Sequence, residues 1–224
     1  INSINIGKGA NSVTGNTCFG ESALDAAVSG DSNTAIGNSA LTTLTSGTNN
    51  CAVGRFALSA LTTASNNVAV GNSALGICVD GASNVAVGVS CLDANTSGAS
   101  NVAMGHHALG ANTTASNNVG VGNSCLSTNV DGVRNTGVGA NCLDANSSGS
   151  NNTACGQDAL GANTTASGNS AFGHQALNAN STGTGCVGVG KNSLLSNTTG
   201  TNNVAIGQNS LDANLTSSSN VAVG

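Results

Sequence analysis

The sequence predicts an all-β chain: a parallel β-solenoid or β-roll with a 17-residue coil, about 12 coils, stacked into a rod. Three observations carry that expectation. Glycine returns at a fixed interval without insertion or deletion, at Gly20, Gly37, Gly54, Gly71, Gly88, Gly105, Gly122, Gly139, Gly156, Gly173, Gly190, Gly207 and Gly224. Four residues after each of these except the last stands a leucine: Leu24, Leu41, Leu58, Leu75, Leu92, Leu109, Leu126, Leu143, Leu160, Leu177, Leu194 and Leu211. Four residues before each glycine stands an asparagine, from Asn16 to Asn220, with Cys186 the one substitute.

Along the chain, residues 1–15 read as a shortened, irregular first coil around Ile4-Asn5-Ile6-Gly7, and 16–224 as one continuous repeat region. Within a coil, segments such as Val68-Ala69-Val70 alternate as a short strand does, with the two valines on one face and the alanine on the other. The larger residue before each glycine (Phe19, Ile36, Val53, Val70, Val87, Met104, Val121, Val138, Cys155, Phe172, Val189, Ile206, Val223) is expected to form the core ladder. The small residues opposite, such as Ala69, Ala86, Gly120 and Gly137, would then let another chain approach closely. The repeated glycine reads as a corner, because glycine reaches positive φ at low cost. The Ala-Leu after it is expected to start a second wall, with the twelve leucines as a structural core ladder of their own. Stacked asparagines can hydrogen-bond along the coils; tolerance of a turn conformation is the alternative.

A 17-residue unit is too short for the helix pairs of solenoids such as tetratricopeptide repeats, and the apolar positions do not follow a 3.6-residue period. Coils spaced at about 4.8 Å make a rod roughly 60 Å long. A longer, triple-coil period overlies the short one: Gly110-Ala111-Asn112-Thr113-Thr114-Ala115-Ser116 returns unchanged at 161–167, which suggests growth by duplication of coil triplets. Neither end reads as a polar cap, so capping coils or partner subunits are expected beyond both.

Composition narrows function. Only 6% of the 224 residues are charged and 1% aromatic, so burial must come from many small contacts renewed in every coil. The net charge is −5 and the cations are Lys8, Arg55, Arg134 and Lys191, so no basic face gathers phosphates and no nucleic-acid partner is expected. No apolar run is long enough to span a bilayer, so this segment is not expected to insert into a membrane.

No residue set reads as catalytic, cofactor-binding or metal-ligating, and the chain is expected not to be an enzyme. His106 and His174 share a column but lie four coils apart, while His107 is adjacent to His106; zinc needs several ligands within about 2 Å of one ion. Asp25, Asp93, Asp144 and Asp212 share the place after the leucine in scattered coils and read as solvated turn residues. Glycine-rich Gly183-Thr184-Gly185-Cys186-Val187-Gly188 lacks the Gly-Lys-Ser/Thr of a phosphate loop. Of the eight cysteines, Cys91, Cys125 and Cys142 stand just before the leucine and read as small core fillers. Cys125 and Cys142 fall in adjacent coils, where spacing allows a disulfide although free buried thiols are the favoured reading. Asn95, Asn112, Asn146, Asn163, Asn180, Asn197 and Asn214 share a column and each opens an Asn-x-Ser/Thr triplet, so they are candidate N-glycosylation sites; a turn asparagine without sugar is the competing reading.

The stretch Asn67-Val68-Ala69-Val70-Gly71-Asn72-Ser73-Ala74-Leu75 resembles the head repeats of YadA-type trimeric autotransporter adhesins and similar repeats of phage and virus fibre proteins. The resemblance extends from Asn16 to Gly224. It implies a left-handed β-roll, three chains side by side, and an adhesive head or shaft on a cell or virion surface. The repeat here is a few residues longer than the usual head unit of that family, and these 224 residues contain no neck, coiled-coil stalk or membrane anchor. The expected function is therefore a structural repeat rod of an extracellular, cell-surface or virion-surface fibre or adhesin, self-associating as a homotrimer, with a host receptor or glycan as a further partner. The alternatives are a single-chain subunit polymerising head to tail into a filament and, on the strength of pairs such as Thr62-Thr63 and Thr113-Thr114, an ice- or glycan-binding solenoid.

Overall fold

The computed structural model describes residues 4–224, with side chains from Ile6 onward. The described residues form no helix and build a β-solenoid of about 12 turns whose strands recur at the 17-residue coil spacing. They fall into two compact units, one ending at Ala115 and one spanning Ser116–Gly224.

The first unit carries β1 (Ile4–Gly7), β2 (Thr17–Glu21), β3 (Thr34–Ile36), β4 (Cys51–Val53), β5 (Val68–Val70), β6 (Val85–Val87) and β7 (Val102–Met104). From β2 to β7 each strand pairs in parallel with the next, always one coil further along the chain, as in Val68↔Val85. Strand β1 differs: it pairs antiparallel with β2, Gly7 opposite Cys18. Gly7 stands closer to Gly20 in the chain than one full coil, so the chain doubles back as a hairpin where the sequence suggested a shortened coil. The second unit carries β8 (Val119–Val121), β9 (Thr136–Val138), β10 (Thr153–Cys155), β11 (Ser170–Phe172), β12 (Val187–Val189), β13 (Val204–Ile206) and β14 (Val221–Val223), parallel in the same one-coil register.

The strands face the opposite way from the sequence expectation. Their central residues point inward: Ala35, Ala52, Ala69, Ala86 and Ala103 in the first unit, and Gly120, Gly137, Ala154, Ala171, Gly188 and Ala205 in the second, are buried. The larger residues expected to be the core ladder point outward, and Phe172, Ile206 and Val70 are 43%, 42% and 36% exposed. So short a coil, with a single three-residue strand, encloses too narrow a section for a valine at the strand centre. The core is made instead of those small residues, the alanine, cysteine or serine before each leucine, the leucines and the asparagines.

The Ala-Leu segment is not a second strand. Leu24, Leu41, Leu58, Leu75, Leu92 and Leu109, and likewise Leu126, Leu143, Leu160, Leu177, Leu194 and Leu211, all adopt left-handed φ between 49° and 54°. That conformation costs an L-residue about 1–2 kcal/mol. Burying a leucine returns about 1.5–3 kcal/mol, and all but the half-buried Leu211 are buried completely or nearly so. Within each unit the leucine N–H also donates along the stack, as from Leu41 to Ala57 O at 3.1 Å and from Leu143 to Ala159 O at 3.0 Å. Burial and this hydrogen bond together outweigh the strain.

The corner glycines are required twice over. Gly173 has φ +137°, and a Cβ there would lie 2.6 Å from the carbonyl oxygen of Gly190 in the next coil. Gly37 and Gly88 stand in the same way against Gly54 and Gly105, at 2.6 and 2.7 Å. The coils can stack at strand spacing only where no side chain intervenes. Gly173→Ala is therefore expected to destabilise the chain by at least about 2 kcal/mol, read as a lower thermal midpoint by circular dichroism, whereas Ser39→Ala, at a half-buried turn position, should shift it far less.

Candidate functional site

Two columns of asparagine run inside the coils. In the first, within each unit, the side-chain oxygen of an asparagine accepts the backbone N–H of the residue at the same place one coil later, which is an asparagine except where Asn169 accepts from Cys186. In the first unit Asn33 N–H donates to Asn16 Oδ1 at 2.8 Å, Asn50 to Asn33 at 3.0 Å and Asn84 to Asn67 at 2.9 Å. In the second unit Asn135 donates to Asn118 at 2.9 Å and Asn169 to Asn152 at 3.0 Å. Carboxamide Nδ2 groups reach carbonyls of the following coil: Asn84 to Gly98 O at 2.9 Å, Asn152 to Ala166 O at 2.8 Å. These buried amides therefore act as cross-links between coils, satisfying backbone groups that the short strands leave unpaired.

The second column contains the candidate glycosylation sites, and the structure overturns that reading. Asn95, Asn112, Asn146, Asn163, Asn180 and Asn197 are fully buried, and Asn214 is half-buried. Both hydrogens of the Nδ2 group are in use. Asn163 Nδ2 donates to Asn146 Oδ1 at 2.7 Å and to Ala166 O at 3.1 Å; Asn112 Nδ2 donates to Asn95 Oδ1 and to Ala115 O, each at 3.0 Å. A sugar on Nδ2 would replace one of these hydrogens and has no space inside the coil. Ala166 O thus receives one amide from each column, Asn152 and Asn163. In the first unit the same column includes Leu44, Leu61 and Cys78, all buried, before it turns to asparagine.

The remaining candidates lie apart. His106 and His107 are exposed with their rings edge to face, centroids 4.6 Å apart. Among the described residues, no group of three or more His, Cys, Asp or Glu is placed to hold a metal ion, and no helix is long and apolar enough to cross a membrane. Asp144 is half-buried, and desolvation, followed by repulsion from Asp158, holds its carboxyl above the usual range. Threonine hydroxyls are engaged by the backbone of the next coil: Thr62 Oγ1 donates to Val79 O at 3.3 Å and Thr198 Oγ1 to Leu215 O at 3.0 Å. All eight cysteines are free; Cys155 is exposed, Cys51 half-buried and the other six buried.

The surface most unlike that of an ordinary soluble domain is the outer face of the strands. In the first unit Phe19, Ile36, Val70, Val87 and Met104 form an exposed apolar row, flanked by half-buried Val68, Val85 and Val102. In the second unit Val138, Phe172, Val189 and Ile206 do the same beside half-buried Val187 and Val204. No lysine, arginine, aspartate or glutamate occupies either row.

Removing the Asn152 amide leaves the Asn169 N–H without its acceptor, while Ala166 O keeps Asn163 as a donor, so Asn152→Ala is expected to cost about 2 kcal/mol in a denaturant titration. The converse change repairs a break: Cys186 has no carboxamide, and its thiol reaches Gly200 O at 3.2 Å in place of an amide. Cys186→Asn should raise stability by about 1 kcal/mol. Because the folded-state pKa of Asp144 lies above its unfolded value, its contribution is full below the unfolded carboxyl range and is lost as pH rises through the folded value. Asp144→Asn should accordingly melt higher than the parent near neutral pH, with the difference closing in acid.

Comparison of the chain with protein-family models, with curated proteins and with solved structures finds no match.

Proposed function

We propose that this chain is a structural solenoid segment of an extracellular, cell-surface or virion-surface fibre or adhesin, that it self-associates as a homotrimer through the outer faces of its strands, and that it is not an enzyme. The observation that carries the reading is the uncharged apolar row along those faces. Soluble monomers rarely expose a contiguous apolar surface of this kind, and such surfaces mark contacts with another protein. β-Branched residues on a flat sheet face pack well against a second such face.

The association surface is not the one first expected. Ala69, Ala86, Gly120 and Gly137 are inside the coil, so close approach through small residues has no surface to use. Outward Val70 and Val138 take over that role. The resemblance of Asn67 to Leu75 to YadA-type head repeats supports three chains as the assembly and a cell or virion surface as its place. Contact with a host receptor or glycan belongs to the same reading. An ice-binding role is weakened by the threonine hydroxyls that donate to backbone carbonyls. Polymerisation of single chains head to tail is the competing assembly.

Sedimentation velocity with electron cryo-microscopy of the assembly tests the proposal, with three chains in cross-section as the expected outcome. Val70→Asp with Val138→Asp should yield monomers with an unchanged circular dichroism spectrum, since both side chains point to solvent in the single chain. A parent that stays monomeric at high concentration, or filaments one chain wide, would overturn the trimer.

A further inference from the structure

Cys125 and Cys142 stand before the leucine in neighbouring coils of the second unit, and both are fully buried. Strands β8 and β9 are aligned with Gly120 opposite Gly137, and the N–H of Leu126 donates to Cys142 O at 2.9 Å. That bonding keeps the two cysteine backbones near strand spacing, about 4.8 Å, within the Cα separations of about 4.4–6.8 Å that a disulfide spans. A Cβ placed on Gly137 would lie 2.6 Å from Cys125 Sγ and 3.6 Å from Cys142 Sγ, so both sulfurs border the same space left by the missing side chain. The thiols also interact: hydrogen bonding with Cys125, and then burial, push the Cys142 thiol up.

The repeat shows that this space accompanies the larger side chain. Between Ala35 and Ala222 the strand centre is alanine except at Gly120, Gly137 and Gly188. In those three coils the residue before the leucine is Cys125, Cys142 and Ser193, where most coils have alanine. At Gly188 a Cβ would meet Ser193 Oγ at 2.9 Å. Cys91, by contrast, keeps Ala86 at its strand centre and turns its sulfur to Gly105 O at 2.5 Å. Its neighbour one coil on is Ala108, so it has no thiol beside it in that column. Two successive coils with both a cysteine and a glycine at these places occur at 120–142 alone.

We propose that Cys125 and Cys142 form an oxidisable dithiol, a modification site that closes to a disulfide joining adjacent coils when a small disulfide such as oxidised glutathione is present. One cysteine thiolate attacks a sulfur of the oxidant, releasing one glutathione thiolate and leaving a mixed disulfide. The second cysteine thiolate then displaces the other glutathione. In sum two protein thiols lose two protons and two electrons to one protein disulfide, and one oxidised glutathione becomes two thiols. Cys142 Sγ now donates to Ala154 O at 3.4 Å, so closure requires that side chain to turn toward Cys125, into the space beside Gly120 and Gly137. Burial holds the thiol protonated, so exchange is slow in the folded coil and proceeds as the chain folds or opens locally.

The test is to refold the full chain in a glutathione redox buffer, quench it by alkylation under denaturing conditions, and map the peptides by mass spectrometry. The expected product is a cross-linked pair containing Cys125 and Cys142, lighter by two hydrogens, with a thermal midpoint several degrees above that of the reduced chain and restored by reductant. Cys125→Ala and Cys142→Ala place in these positions the residue found at Ala108 and Ala159. Both variants should fold and lose both the cross-link and the redox-dependent shift in midpoint. Eight alkylated thiols, a glutathione adduct that never closes, a cross-link between other cysteines, or the same shift in the alanine variants would each overturn the proposal.

Discussion

A buried carboxamide that binds two coils at once is the interaction on which the rest of this solenoid depends. Only three residues of most coils are strand, so most of the backbone passes through turns whose polar groups have no ladder to join. The interior asparagines supply the missing partners. Asn152 accepts the N–H of Asn169 through Oδ1 and donates through Nδ2 to Ala166 O, fixing both the height of the next coil and the path of its return turn. An unpaired buried amide or carbonyl costs about 1–3 kcal/mol, so the arrangement is stable only if it is complete in nearly every coil. An invariant coil length follows, because one inserted residue would move an asparagine away from its acceptor.

This same requirement explains why the core is built from small residues. Direct contact between coils at the corner glycines and the interior amides leaves little volume at the strand centre, and alanine, glycine or cysteine fills it. The leucine is the one large apolar side chain that nearly every coil encloses, and it fits only with its backbone in the left-handed region. The strain is local and repeated, and it is offset in each coil by the burial of that same side chain. Large apolar residues elsewhere in the strand have nowhere to go but outward.

The coil length, the strand position, the corner glycine and the stacking of asparagines were legible because each is a strict period. The direction of the strand was misread by taking bulk as the sign of burial. Size restriction was the better signal. The centre column admits only alanine, glycine and cysteine from Cys18 to Ala222, whereas the column beside the glycine ranges from Cys155 to Phe172 and Met104. An enclosed position limits volume in every coil, while an outward one tolerates any residue that suits the sheet. The triplet Asn-x-Ser/Thr misled for a related reason: Asn129 keeps the asparagine although Val130-Asp131 follow it, so the amide rather than the triplet is what the column preserves. The left-handed leucines left no signal, since leucine is an unusual choice for positive φ and only its enclosure makes that choice stable.

Departures from the repeat carry a different kind of information from the repeat itself. The periodic residues answer to stacking and would be the same whatever the solenoid served. Irregular ones must be accommodated one at a time, and the accommodation can be seen: glycine at 137 beside two sulfurs, and the thiol of Cys186 donating where an amide would. By that standard the outer row is neither accident nor core. Its residues vary in size, yet in the strands of both units they remain apolar and free of charge, although solvent alone would favour polar side chains there. A constraint on polarity without a constraint on volume is what a second sheet face imposes, because it excludes water while adjusting to the shape that it meets.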